Sequence, residues 1–257
     1  MNGGISIVGA GNVASSLAVA FEEAGLVVNE IFSRDPDNAN RLVGRLYQAS
    51  VVTDLDFTES PSELLIIAIS DDAIREVAEE LDTPEHMTVV HTSGSVSMDA
   101  LDRFSSTGVF YPLQTFSLDK LVSFKNIPLL IEGSDSRVEK YLASVAGKIS
   151  KDIVITDSEA RENIHLAAVF ASNFSNHMIH IAHNLLEEYG IDPELLTPLI
   201  SETIQKSLSL GPEAAQTGPA RRGDIEILNR HLKKLKDHPE LGSIYKKISE
   251  HILKKFS

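Results

Sequence analysis

The chain has 257 residues, 42% hydrophobic and 23% charged, the proportions of a soluble globular protein with room for one large domain or two ordinary ones. Its 23 basic against 37 acidic residues give a net charge of −14, which repels nucleic acid and anionic membranes and obliges any anionic ligand to be held by local positive features. With no cysteine there is no disulfide, thiol nucleophile or thiolate metal site; a cytoplasmic protein without a metal is expected.

The start of the chain passes straight into a strand, so no signal peptide is expected. A short apolar run, Ile5 to Val8, ends in Gly9-x-Gly11-x-x-Ala14 and continues into a helical pattern that stops at Gly25. Strand, glycine turn and helix stand in the order a dinucleotide needs. Gly9 makes the turn, Gly11 lets the backbone approach a pyrophosphate, and Ala14 lets helix and strand pack closely. The helix opens at Asn12 and Val13, where free N–H groups and the positive dipole end face phosphates. The competing reading is a tight turn that holds no ligand.

Leu26 to Phe32 reads as the second strand, followed by Ser33-Arg34-Asp35-Pro36. An acid here takes the ribose hydroxyls of NAD, whereas an arginine suits the 2′-phosphate of NADP. Asp35 before Pro36 has the form of a helix N-cap. That leaves Ser33 and Arg34 for the ribose and favours NADP over NAD; the plain alternative for Arg34 is a solvated charge.

A third strand lies near Ser50 to Thr53, and Leu64 to Ile69 is the continuous apolar run of a central parallel strand. Ser70 and Asp71 leave its carboxyl end, where ligands of such sheets bind, although Asp71 also suits a helix cap. Met87 to His91 ends in Thr92-Ser93-Gly94-Ser95, again small hydroxyl residues at a strand's carboxyl end. Gly108 to Tyr111, Ile127 to Ile131, a helix from Ser136 to Ile149 and Asp152 to Ile155 complete an α/β layer of roughly seven strands. The expected division is a dinucleotide-binding domain over residues 1–156 and an all-α substrate and dimerisation domain over 157–257. The fold class is therefore a doubly wound, mostly parallel Rossmann sheet followed by helices.

The second half begins with a long helix expected from Ser158 to Tyr189. A segment from Asp192 to Gly211, interrupted near Pro198, follows, then a polar loop from Pro212 to Gly223 and helices over Ile225 to Lys236 and Pro239 to Lys255. Asp224 has the form of an N-cap. At 100° per residue, Asn173, His177, His180 and Asn184 fall within about 60° of one another on the long helix, with His165 earlier on the same edge. Such a stripe either packs as satisfied polar groups or faces the cofactor cleft.

The chain resembles the 6-phosphogluconate dehydrogenase-like superfamily, and within it a group of candidate NADP oxidoreductases with a C-terminal domain of unknown function. The resemblance rests on Gly9 to Ala14, His91 to Ser95, Tyr111 to Phe116, His165 to Asn173 and Thr217 to Asp224. It implies NADP binding, a homodimer formed through the helical domain, and a small-molecule substrate of unstated identity. In the hydroxyacid dehydrogenases of this superfamily a lysine precedes the active-site Asn by four residues; if Asn173 matches that Asn, Val169 stands at the lysine position. Hydride reduction still needs a group to polarise or protonate C=O or C=N. His165 and His177 are the first candidates, with His91, Ser93 and Tyr111 behind them.

The sequence thus predicts an NADP-dependent oxidoreductase with His165, Asn173 and His177 as catalytic residues. Gly9, Gly11, Asn12, Val13, Ser33, Arg34, Ser70, Asp71, Thr92 and Ser93 are expected on the cofactor. Tyr111 and Gln114 are expected on the substrate, and Arg221 and Arg222 on an anionic group. The rival readings are a non-catalytic dinucleotide sensor, favoured by the missing lysine, and a deazaflavin-dependent NADP reductase.

Overall fold

The computed structural model describes residues 3–117 and 122–256. Two compact units divide it, residues 1–175 and 176–257. The expected boundary near residue 156 coincides with the change from strand to helix; the packing division lies further on, inside the long helix.

In the first unit, β1 (Ile5–Val8), β2 (Val28–Phe32), β3 (Ser50–Val52), β4 (Leu64–Ile67), β5 (Thr88–His91), β6 (Thr107–Pro112), β7 (Leu129–Gly133) and β8 (Ile153–Ile155) form one sheet. Among the described residues it has eight strands, one at each of the apolar stretches read from the sequence, ordered β3-β2-β1-β4-β5-β6-β7-β8. The first six are parallel in the Rossmann order, and strand order reverses between β1 and β4, where such sheets open a crevice. β7 runs antiparallel to β6, and β8 parallel to β7. Nothing in the apolar run of β7 distinguishes the two directions, because a strand buried on both faces has the same composition either way.

The central strands β1, β4 and β5 are buried along their whole length. Two apolar layers cover the sheet. On one face α1 (Asn12–Glu23) and α4 (Ser136–Ile149) bring Leu17, Phe21, Leu142 and Val145 against Ile7, Ile66 and Phe110. On the other face α3 (Ile74–Glu80) and the turn Met98–Leu101 bring Ile74, Ala78 and Leu101 against Leu65, Ile67 and Val89. Burying a side chain such as Phe21 contributes about 1.5–3 kcal/mol. α2 (Pro36–Val43) is capped as expected: the Asp35 carboxylate accepts the Asp37 N–H at 3.0 Å, with Pro36 in the first turn.

The long helix is not uniform. α5 (Ser158–Ala168) passes into a π-helical run, Val169–Phe174, before α6 (Ser175–Glu187). Turns closed by i→i+5 bonds advance each residue by less than 100°. The uniform count that set Asn173 and His177 on one stripe therefore does not hold across this run.

The second unit contains most of α6, then α7 (Thr197–Leu210), α8 (Pro212–Ala215), α9 (Pro219–Arg222), α10 (Ile225–Lys234) and α11 (Pro239–Phe256). The segment changes near Pro198 as expected: a 3₁₀ turn, Pro193–Leu196, gives way to α7, and Pro198 lies in the first turn of α7, where its missing N–H is one a helix start leaves unpaired anyway. The expected polar loop contains the short helices α8 and α9. Asp224 precedes α10 without capping it; its carboxylate accepts from Arg222 Nε at 2.9 Å instead. No residue of α6, α7 or α11 is fully buried, and Leu195, Leu199, Leu208 and Leu210 are exposed.

Candidate functional site

Gly9 leaves β1 with φ +119°, a conformation that L side chains avoid, and a Cβ there would lie 2.2 Å from the Ala68 carbonyl oxygen. The turn thus brings the ends of β1 and β4 together at the switch point. The Gly9 N–H donates to Phe32 O at 2.8 Å, which ties the end of β2 to the same place. At Gly11 no atom lies within 4 Å of where a Cβ would point. Ala14 is fully buried against the sheet.

These residues border a cavity of about 590 Å³ at the carboxyl edge of the sheet. It takes Gly9, Gly11, Asn12 and Val13 from the glycine turn, and Ser33 and Arg34 from the end of β2. Ser70, Asp71, Thr92 and Ser93 follow β4 and β5, and Tyr111 and His165 complete the lining. The N-terminus of α1 opens at this cavity, so its free N–H groups favour negative charge there. Arg34 is exposed and forms no ion pair among the described residues. Asp35 is committed to its cap and also accepts from Asn38 Nδ2 at 2.8 Å. Asn12 Nδ2 donates to Phe116 O at 2.9 Å, joining the glycine turn to the segment after β6.

A second cavity, about 510 Å³, is lined by Gln114, Phe116, Val169, Ser172 and Asn173 together with Tyr111 and His165. The two cavities therefore share the Tyr111–His165 pair. Tyr111 Oη and His165 Nδ1 are 2.9 Å apart, with the rings edge to face at 5.8 Å. Gly94 makes room for them: a Cβ on it would meet His165 Nδ1 at 2.5 Å and Tyr111 Cζ at 2.8 Å. Burial, and then the Asp71 carboxylate, push the Tyr111 hydroxyl above the ordinary phenol range, so it remains protonated. Asp71 in turn accepts from Ser95 Oγ at 2.5 Å.

Behind this wall lies a buried polar cluster of which the sequence singled out His91 but not Arg161 or Glu132. His91 is fully buried, its Nδ1 accepts the Ser93 N–H at 3.2 Å, and its pKa is pushed down to about 4, by burial first and Arg161 second. Arg161 is 1% exposed and pairs with Glu132. The spacing Arg161-x-x-x-His165 was the available signal, because residues four apart share a helix face.

The remaining expected residues lie in the second unit and line neither cavity. His177 is exposed on α6; Arg221 stacks on the Phe256 ring at 4.2 Å; Arg222 is held by Asp224 at 2.8 Å. The second unit has an apolar cavity of its own, about 300 Å³, between α6, α9, α10 and α11. Among the described residues no cluster of three metal-ligating side chains occurs, and no helix is long and apolar enough to cross a membrane.

A doubly wound sheet whose crevice is edged by a glycine turn and a helix N-terminus defines the Rossmann class. Residues 2–115 match the family described as a Rossmann-like domain, and residues 127–252 match a domain of unknown function, DUF2520. A solved structure of a "putative NADP oxidoreductase" from Bacteroides fragilis is 36% identical, covers 97% of each chain and superimposes with a TM-score of 0.88. The chain belongs to the family of that protein, a Rossmann-like domain followed by DUF2520. More distant likenesses bear on the fold alone. A reductive aminase of Aspergillus terreus, in complex with NADPH and ethyl levulinate, is 16% identical over 99% of this chain and 95% of that one, TM-score 0.74. An imine reductase of Myxococcus stipitatus, in complex with NADP+, is 13% identical over 98% and 99%, TM-score 0.67. No curated protein matches the sequence.

Proposed function

We propose that the protein is an NADP-dependent oxidoreductase that reduces a small C=O or C=N compound, within the 6-phosphogluconate dehydrogenase-like superfamily. The observation that carries this is the sharing of the Tyr111–His165 pair by a dinucleotide-sized cavity and a smaller one beside it. The residues of the larger cavity fit NADP: N–H groups at Asn12 and Val13 for the pyrophosphate, and an unpaired Arg34 with Ser33 for the 2′-phosphate. NADPH, when bound, supplies the hydride. The smaller cavity takes the substrate, where Asn173 and Gln114 orient it by hydrogen bonds. Tyr111, kept protonated by its surroundings, donates a proton to the developing oxygen or nitrogen anion, and the phenolate regains a proton from solvent by way of His165 at 2.9 Å. The superfamily resemblance is the ground for a homodimer, with the exposed leucines of the second unit as the surface a second copy would cover, and the absence of cysteine fits the cytoplasm.

Two measurements test this reading: calorimetric titration with NADPH and NADH, then turnover of NADPH against a panel of ketones, aldehydes and imines. Preference for NADPH together with turnover that Tyr111→Phe abolishes supports it. Val169 at the lysine position sustains one rival, a dinucleotide sensor. Tight NADPH binding with no turnover of any carbonyl or imine would establish the sensor instead.

A further inference from the structure

Arg161 is the largest side chain to be fully buried among the described residues, and it is charged. A lone guanidinium in such a place is costly, so its partners show what it is holding. One is the carboxylate of Glu132 on β7. The second is the Val96 carbonyl, at 2.5 Å from Nη2, in the segment that follows β5. The third is Ser158 Oγ at 3.2 Å, in the first turn of its own helix. Ser158 Oγ also donates to Glu132 at 3.0 Å and accepts the Met98 N–H at 3.2 Å. Ser93 Oγ accepts the N–H groups of Ser95 and Val96, so the segment that includes Gly94 is closed on itself and fastened at Val96. His165 lies one helical turn after Arg161, on the same face, and rests on Gly94.

We infer that Arg161 is the positioning residue of the site: its buried guanidinium holds the residue 93–98 segment and α5 in register, and so sets the Tyr111–His165 contact. An apolar pair would hold a helix on a sheet equally well. Only a planar fork with several donors joins a strand, a loop and a helix at one point. The inference rests on the proposed function only in giving the pair its role as acid.

The test uses the full chain with 15N-labelled histidine, His165→Gln to assign the resonances, and two variants of the clamp. Arg161→Lys keeps the charge and loses the fork. The double variant Arg161→Met, Glu132→Gln removes both charges and leaves no buried ion unpaired. In the parent, His165 should show the distinct nitrogen shifts of an imidazole held in one tautomer. In the folded double variant they should converge on the averaged shifts of a free imidazole, with Arg161→Lys between. Turnover of a carbonyl accepted by the parent should fall at least tenfold, while NADPH affinity stays within about threefold. Unchanged His165 shifts in a cooperatively melting double variant would overturn the inference. If that variant does not fold, Ser158→Ala gives the same reading, because Asp157, not Ser158, caps α5; it should move the His165 shifts part of the way, and no movement would overturn it. A parent that turns over no carbonyl or imine would remove the reductase reading and leave the spectroscopic result to decide the role of Arg161.

Discussion

Gly94→Ala isolates the Tyr111–His165 pair from the rest of the fold. The backbone at Gly94 does not need the left-handed region, so alanine brings no strain of its own. The new methyl group would lie 2.5 Å from His165 Nδ1, 2.7 Å from its Cγ and 2.8 Å from Tyr111 Cζ. Each of those atoms belongs to a side chain, and the imidazole can swing away where backbone could not. The cost should be the lost hydrogen bond, about 0.5–1.5 kcal/mol, and the low end of the 1–3 kcal/mol typical of overpacking. A total near 2 kcal/mol lowers the melting temperature by roughly 4–8 °C in a chain of this size. Activity should fall much further, because a positioned proton donor contributes about 10²–10⁴-fold to rate. Thermal unfolding and NADPH oxidation measured side by side distinguish the two effects. A Gly94→Ala protein with parental melting temperature and parental turnover would refute both the geometry and the role given to the pair.

The buried His91 makes stability depend on pH. Its folded pKa, about 4, lies below the ordinary 6.5, so the unfolded chain binds the extra proton between those values. Stability should therefore be complete above pH 6.5 and fall toward pH 4 by about 3 kcal/mol, and His91→Gln should flatten that slope in chemical unfolding series. Arg34→Ala should lose about 1.5–3 kcal/mol of NADPH affinity and little NADH affinity by calorimetry; equal losses for both would remove the 2′-phosphate assignment. Sedimentation at micromolar concentration should show twice the 28.0 kDa chain mass, and a monomer alone would refute the homodimer.

What was legible in the sequence was local. The glycine turn, the Asp35 cap and α4 over Ser136–Ile149 depend on neighbours within a few residues, so composition and spacing disclose them. The direction of β7 was not legible, because burial on both faces erases the alternation that might have marked it. Asp224 illustrates a local competition: two positions behind Arg222, it forms an ion pair where a cap was expected. The cavity lining was legible strand by strand, since Ser70, Asp71, Thr92 and Ser93 each follow a strand's carboxyl end. The Tyr111–His165 contact joins residues 54 apart, and the Arg161–Val96 contact residues 65 apart. Neither has a sequence period to betray it. Gly94 is a further case, a glycine explained by the two rings beside it rather than by its own turn.

The π-helical run also bears on how motifs are carried from one protein to another. Counting four residues back from Asn173 presumes an α-helix, in which those two positions share a face. Within Val169–Phe174 the bonds close over five residues, and the neighbour one turn before Asn173 becomes Ala168 rather than Val169. Either count ends on an uncharged side chain too short to carry a proton. If Asn173 matches the Asn of the hydroxyacid dehydrogenases, neither count supplies the ammonium, and a π turn at this place separates spatial equivalence from numerical offset. Comparisons across such a helix belong in coordinates, where the first ionisable side chain before Asn173 is the His165 imidazole, eight residues back.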